Sequence, residues 1–146
     1  MLKGIDRVIS AELLMVLMSM GHGDDLLICD VNHPASTIAK CTTYGRLVHM
    51  EGCELPRAAE AILSLMPLDT FVPCPVVRMK VVNDPDRIMP VQARVQAVVD
   101  RTEGRAIPME ALERFDFYAA ARRAYAVVRT SDPGPYGCFI LRKGVI

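Results

Sequence analysis

The apolar positions of this chain change period several times, and each change marks an element. Leu13, Leu14, Val16, Leu17 and Met20 recur at helical spacing. Ser10 stands where an N-cap belongs, and Glu12 lies in the first turn, where the helix dipole favours a carboxylate. Gly21 suits the left-handed position that closes a helix. Residues 26–31 form an apolar run broken only by Asp30, the pattern of a strand buried on both faces, and Asn32-His33-Pro34 ends it. Further strands are expected at 46–50, 76–82, 124–129 and 136–141, with Phe71-Val72 as a possible short extension. Helices are expected at 56–66, at 91–99 closed by Gly104, and from Pro108 to about Arg123. Residues 35–45 show no clear period and read as a loop or short helix.

Strands thus alternate with helices, without repeats or a linker. This predicts one α/β domain over residues 1–146, a sheet with helices packed over it. The last two strands are joined too tightly for a parallel crossover within one sheet, so a mixed sheet is expected.

Composition narrows the function. Hydrophobic residues make up 51% of the chain, enough for a full core and for some apolar surface buried between subunits. Lys+Arg and Asp+Glu number 17 each, with no charge run, which argues against nucleic acid as a partner. No apolar run approaches the roughly 18–20 residues of a membrane span, and the first residues lack the pattern of a secretion signal. A cytoplasmic, membrane-free protein is expected. The five cysteines form no C-x-x-C and read as small apolar fillers, not as a disulfide framework. Cys29 with His33, and His49 with Cys53, have i,i+4 spacing, which makes a metal pair only on a helix; both lie on strand patterns, so no metal is expected. The glycine motifs of nucleotide sites and the nucleophile elbow are missing, and no cofactor is expected.

Several residues could carry chemistry. His22 lies between two glycines just past a helix end, with Asp24 and Asp25 in reach to orient its ring. It reads equally as a solvated loop histidine. Asp30 closes an apolar strand, where it either meets a ligand or caps its own turn. Arg114 and Tyr118 share one helix face, either as a hydroxyl-binding edge or as the rim beside core Phe115 and Phe117. Tyr136 follows a rigid Pro-Gly-Pro turn, and Asp69 stands in a turn after a helix. For His33 and His49 the pattern offers no partner group.

Taken together, these residues resemble the ribose pyranase and fucose mutarotase family. The resemblance runs from Met1-Leu2-Lys3-Gly4-Ile5 through Met20-Gly21-His22-Gly23-Asp24, Asp30-x-Asn32-x-Pro34 and Met66-Pro67-Leu68-Asp69-Thr70. It continues at Glu113-Arg114-Phe115-x-Phe117-Tyr118 and Tyr136-Gly137, and closes at Arg142-Lys143-Gly144-Val145-Ile146. Arg114 favours the fucose branch, since the ribose branch tends to carry histidine there. The resemblance implies a three-layer α/β/α fold with a mixed central sheet. It implies a cofactor-free isomerase that interconverts anomers of a reducing monosaccharide. It also implies a homo-oligomeric ring, typically a decamer, with active sites near subunit contacts. By matching position, His22 resembles the family's general acid and Tyr118 a catalytic or binding tyrosine. Asp30, Arg114, Tyr136, Cys138 and Asp69 resemble sugar-binding positions. The rival implications are ribose pyranase chemistry and a non-catalytic sugar-binding ring. Two positions depart from the family: Cys138 replaces the usual asparagine after Tyr-Gly, and His33 replaces the usual phenylalanine of Asn-Phe-Pro.

Overall fold

The computed structural model describes residues 2–146. Its helices are α1 (Ala11–Ser19), α2 (Ala35–Ala39), α3 (Leu55–Leu63), α4 (Pro90–Glu103) and α5 (Arg114–Ala121). Its strands are β1 (Asp25–Cys29), β2 (Leu47–Met50), β3 (Val76–Met79), β4 (Met109–Leu112), β5 (Ala126–Thr130) and β6 (Cys138–Arg142). They form one sheet in the order β2-β5-β1-β6-β3-β4. The sheet is mixed: β6 runs antiparallel to both neighbours, β1 and β3, whereas the other pairings are parallel.

Three layers follow from the alternation along the strands. Leu26 and Ile28 of β1 pack with Leu13, Val16, Ile62 and Val95, from α1, α3 and α4. Leu27 and Cys29 face the other way, toward Ile38 of α2 and Phe117 of α5. Because both faces are covered, β1 reads as a continuous apolar run. Burying each large side chain contributes roughly 1.5–3 kcal/mol against the entropy of ordering the chain. The Ser10 cap forms as expected, its hydroxyl accepting the Leu13 N–H at 3.0 Å.

Three expectations are corrected. Pro108 opens a strand and not a helix. Met109–Leu112 are good helix formers, but they pair in register with β3, and the helix starts only after Glu113, whose carboxylate accepts the Phe115 N–H. Gly21 is not left-handed; Gly23 is, at φ 82°. The α1 carbonyls of Leu17 and Met20 instead accept hydrogen bonds from the Lys143 ammonium. Phe71 lies in an exposed loop, outside any strand. The mixed sheet is present, but β5 and β6 are not neighbours, because β1 lies between them. The loop joining them must therefore cross the end of β1, and that crossing builds the site.

Candidate active site

At the C-terminal end of β1 the crossing loop is stitched down by backbone bonds. Val31 N–H donates to the Asp132 carbonyl, and Asp30 N–H donates to the Gly137 carbonyl at 2.7 Å. Asp132, itself buried, accepts from the N–H groups of Leu55 and Gly134. Gly137 is tightly packed: a Cβ there would lie 2.4 Å from Leu55 Cδ1 and 3.2 Å from Asp30 Cβ, so the buried Leu55 side chain would have to move aside. Tyr136 takes a left-handed backbone, φ 61°, unusual for a residue with a side chain. Gln92 Nε2 donates to its carbonyl, and its phenol oxygen accepts the Val82 N–H, so the strained position is held from two sides.

The loop, the ends of β1 and β3, and the start of α5 line a solvent-open cavity of about 290 Å³. Given the share of volume one water takes in the liquid, this is room for roughly ten waters, the scale of one monosaccharide. Asp30, Arg114, Tyr118, Tyr136 and Cys138 all line it, whereas His22 and Asp69 do not. Asn32, His33, Met79 and Pro135 line it too. Sequence reasoning did not find these four as wall residues. For His33 the only available signal was its departure from phenylalanine.

Asp30 is both organiser and candidate ligand. Its Oδ1 accepts the N–H groups of Asn32 (2.8 Å) and His33 (3.0 Å), and its Oδ2 accepts Gly137 N–H at 2.9 Å. Burial raises its carboxyl above the ordinary value, and these bonds pull it back. Burial also pushes the Tyr118 phenol up, with Cys138 adding to the effect, so the phenol stays protonated at neutral pH. The Cys138 thiol is raised well above its ordinary value by burial and is likewise protonated.

His33 is buried, and desolvation pushes its imidazole down to about 4. The unfolded chain takes up this proton below about 6.5, whereas the fold refuses it until about 4. Stability from this group is therefore full above pH 6.5 and declines as pH falls toward 4, by up to about 3 kcal/mol. Asp30, whose carboxyl is raised, opposes part of that loss on acidification. Urea unfolding at pH 7 and pH 4.5 is expected to show a larger acid loss for wild type than for His33→Phe; equal losses would refute a buried neutral imidazole.

His22 lies elsewhere. It precedes β1, whereas Asp30 follows it, and five residues at about 3.3 Å each separate the two ends. The ring does not line the cavity. Its Nε2 lies 3.2 Å from Asp69 Oδ1, and it meets the Phe71 ring edge-on at 5.3 Å. Asp24 and Asp25 do not orient it. Asp24 accepts Gly21 N–H, and Asp25 pairs with Arg142 through two hydrogen bonds. Asp69 is fixed by accepting Phe71 N–H at 2.9 Å, which together with His22 holds its carboxyl below the ordinary value. The His22–Asp69 pair and the cavity thus stand at opposite ends of β1. One is an imidazole–carboxylate pair, and the other is a cavity lined by a carboxylate, a guanidinium and two phenols.

Residues 3–146 match the model of the RbsD / FucU transport protein family. The human fucose mutarotase is 40% identical over 148 residues, covering 99% of this chain and 94% of that protein. The crystal structure of protein Atu2016 superposes with a TM-score of 0.97 at 46% identity, covering 100% of this chain and 97% of that one. The fucose mutarotase from Streptococcus pneumoniae, solved in complex with L-fucose, gives a TM-score of 0.88 at 35% identity, with 99% of each chain covered.

Proposed function

This chain belongs to the RbsD / FucU transport protein family, and from that premise we propose that it is a sugar isomerase of the L-fucose mutarotase type. It interconverts the α and β anomers of a reducing monosaccharide. The observation that carries this reading is the cavity wall. A carboxylate, a guanidinium and two phenols converge on a space of sugar size, in a chain 40% identical to a fucose mutarotase.

Mutarotation opens a hemiacetal and recloses it on the other face. One group protonates the ring oxygen while another takes the proton of the anomeric hydroxyl. When the ring recloses, the two transfers run in reverse. Imidazole suits the first task because it gains and loses protons near neutral pH. Asp69 orients His22 for it. The neutral Tyr118 phenol suits the second as a relay, passing its proton on, directly or through a water, while it takes up another. Asp30 and Arg114 hold the remaining hydroxyls, and Tyr136 and the backbone at Cys138 close the site.

This division of labour needs a second copy of the chain, because His22 and the cavity stand at opposite ends of β1. The surface near His22 supports such a contact. Phe71, whose ring meets His22, is 73% exposed, and Met18, 78% exposed, lines an apolar groove with Val145 and Ile146; a neighbouring copy would cover such surface. We therefore favour a closed homo-oligomeric ring, a decamer as in the family, in which His22–Asp69 of one copy faces the cavity of the next.

Saturation-transfer NMR of L-fucose tests the activity: wild type is expected to speed anomer exchange, and D-ribose run alongside separates the pyranase alternative. Mixing tests the shared site. His22→Ala and Tyr118→Phe oligomers, each impaired alone, are expected to regain about a quarter of wild-type exchange after joint refolding, because random pairing joins two intact halves at that frequency. No recovery would mean that each chain supplies its own complete site.

A further inference from the structure

The two residues that depart from the family pattern, His33 and Cys138, touch each other. They are 105 residues apart in the chain, yet Cys138 Sγ lies 3.2 Å from His33 Nδ1. The thiol is committed to its neighbours. It is buried, and its sulfur also lies 3.7 Å from Asp30 Oδ2. It therefore holds one proton between two acceptors. When the S–H donates to Nδ1, the neutral ring carries its own N–H at Nε2. When it donates to Asp30, Nδ1–H donates to sulfur and a lone pair stands at Nε2.

In both tautomers Nε2 is buried and has no partner among the described residues. A buried polar atom left so costs about 1–3 kcal/mol. The neighbouring rings of Phe117 and Tyr118 meet His33 edge-on at 6.1 and 5.4 Å and leave Nε2 unpaired. His33 lines the cavity, but Nε2 itself is covered, so a ligand hydroxyl reaches it once the ring turns slightly toward that space.

We propose that His33 Nε2 hydrogen-bonds a hydroxyl of the bound monosaccharide, and that Cys138 is the positioning residue that fixes the ring for this contact. A hydroxyl both donates and accepts, so it satisfies Nε2 in either tautomer. The imidazole is neutral at physiological pH, which suits an uncharged hydroxyl better than a carboxylate or phosphate. The inference rests on the isomerase reading for the class of ligand, not for the contact itself.

The test uses the wild-type protein with ¹⁵N-labelled histidine, titrated with L-fucose and with D-ribose. The His33 Nε2 resonance is expected to move saturably with the sugar that binds. His33→Phe is expected to raise the dissociation constant of that sugar about tenfold, the weight of one hydrogen bond. KM rises with it while kcat changes much less. Cys138→Ala, which removes the polar group beside the ring, is expected to weaken binding, and Cys138→Ser, which keeps a donor and acceptor there, to recover part of that loss. A His33 resonance unmoved at saturating sugar, or a His33→Phe variant with wild-type affinity, overturns the proposal. A moving resonance without anomer exchange would sink the isomerase reading and keep the contact. Exchange without a moving resonance would sink the contact alone, and no binding by either sugar would remove both.

Discussion

His22→Ala is expected to slow L-fucose anomer exchange by about 10²–10⁴-fold, the share that positioned acid–base groups supply, while the protein unfolds at nearly the wild-type urea concentration. The reason lies in the environment of the ring. Its side chain is 44% exposed, and its polar contact is a single pair with Asp69. Removing a half-exposed group with one such contact costs about 1 kcal/mol or less. Few residues of this fold offer so clean a separation of chemistry from stability. Exchange kinetics and urea denaturation on the same preparation read the two quantities. An alanine variant that exchanges fucose at the wild-type rate would remove His22 from the mechanism. Asp69→Asn keeps an oxygen for the Phe71 N–H but loses the negative charge beside the ring. It should therefore fall between the two.

The opposite pattern is expected for Asp30→Asn, where fold and function fail together. Both carboxylate oxygens accept backbone N–H groups: Oδ1 those of Asn32 and His33, Oδ2 that of Gly137. An amide in this place turns one oxygen into a donor that confronts other donors. Leaving one or two buried N–H groups unpaired costs about 2–4 kcal/mol. The crossing loop that carries Tyr136 and Cys138 would lose its anchor, so sugar binding should be lost along with stability. The urea midpoint and sugar titration by NMR report both effects. A stable Asn variant that still binds sugar would show that the loop is held by its backbone bonds alone.

These two residues differ in how firmly the fold holds them. His22 stands on a short glycine-flanked turn, tied to one carboxylate and half exposed. Asp30 is embedded where four segments meet. Under the shared-site proposal a neighbouring copy completes each pair of His22 and cavity, which would tie activity to assembly.

Much of this was determined by the sequence itself. The Ser10 cap, the apolar runs of β1 and β5, the Pro56 helix start and the Gly104 stop depend on interactions within a few residues, which periodicity and capping chemistry record directly. The resemblance picked out Asp30, Arg114, Tyr118, Tyr136 and Cys138, and all five line the cavity. The tertiary structure decided what lies between distant positions. Met109–Leu112 favours a helix by propensity and becomes a strand because β3 offers its edge. His22 pairs with Asp69, 47 residues away, and not with the adjacent aspartates, because the Lys143 segment ties both loops to the same end of the sheet. His33, which showed no partner in the sequence, meets Cys138 only because β6 inserts beside β1 with Cys138 opposite Cys29. Local pattern encodes which segments form strands and helices. Sheet order and register, set by burying both faces of β1 at once, decide which side chains share a site.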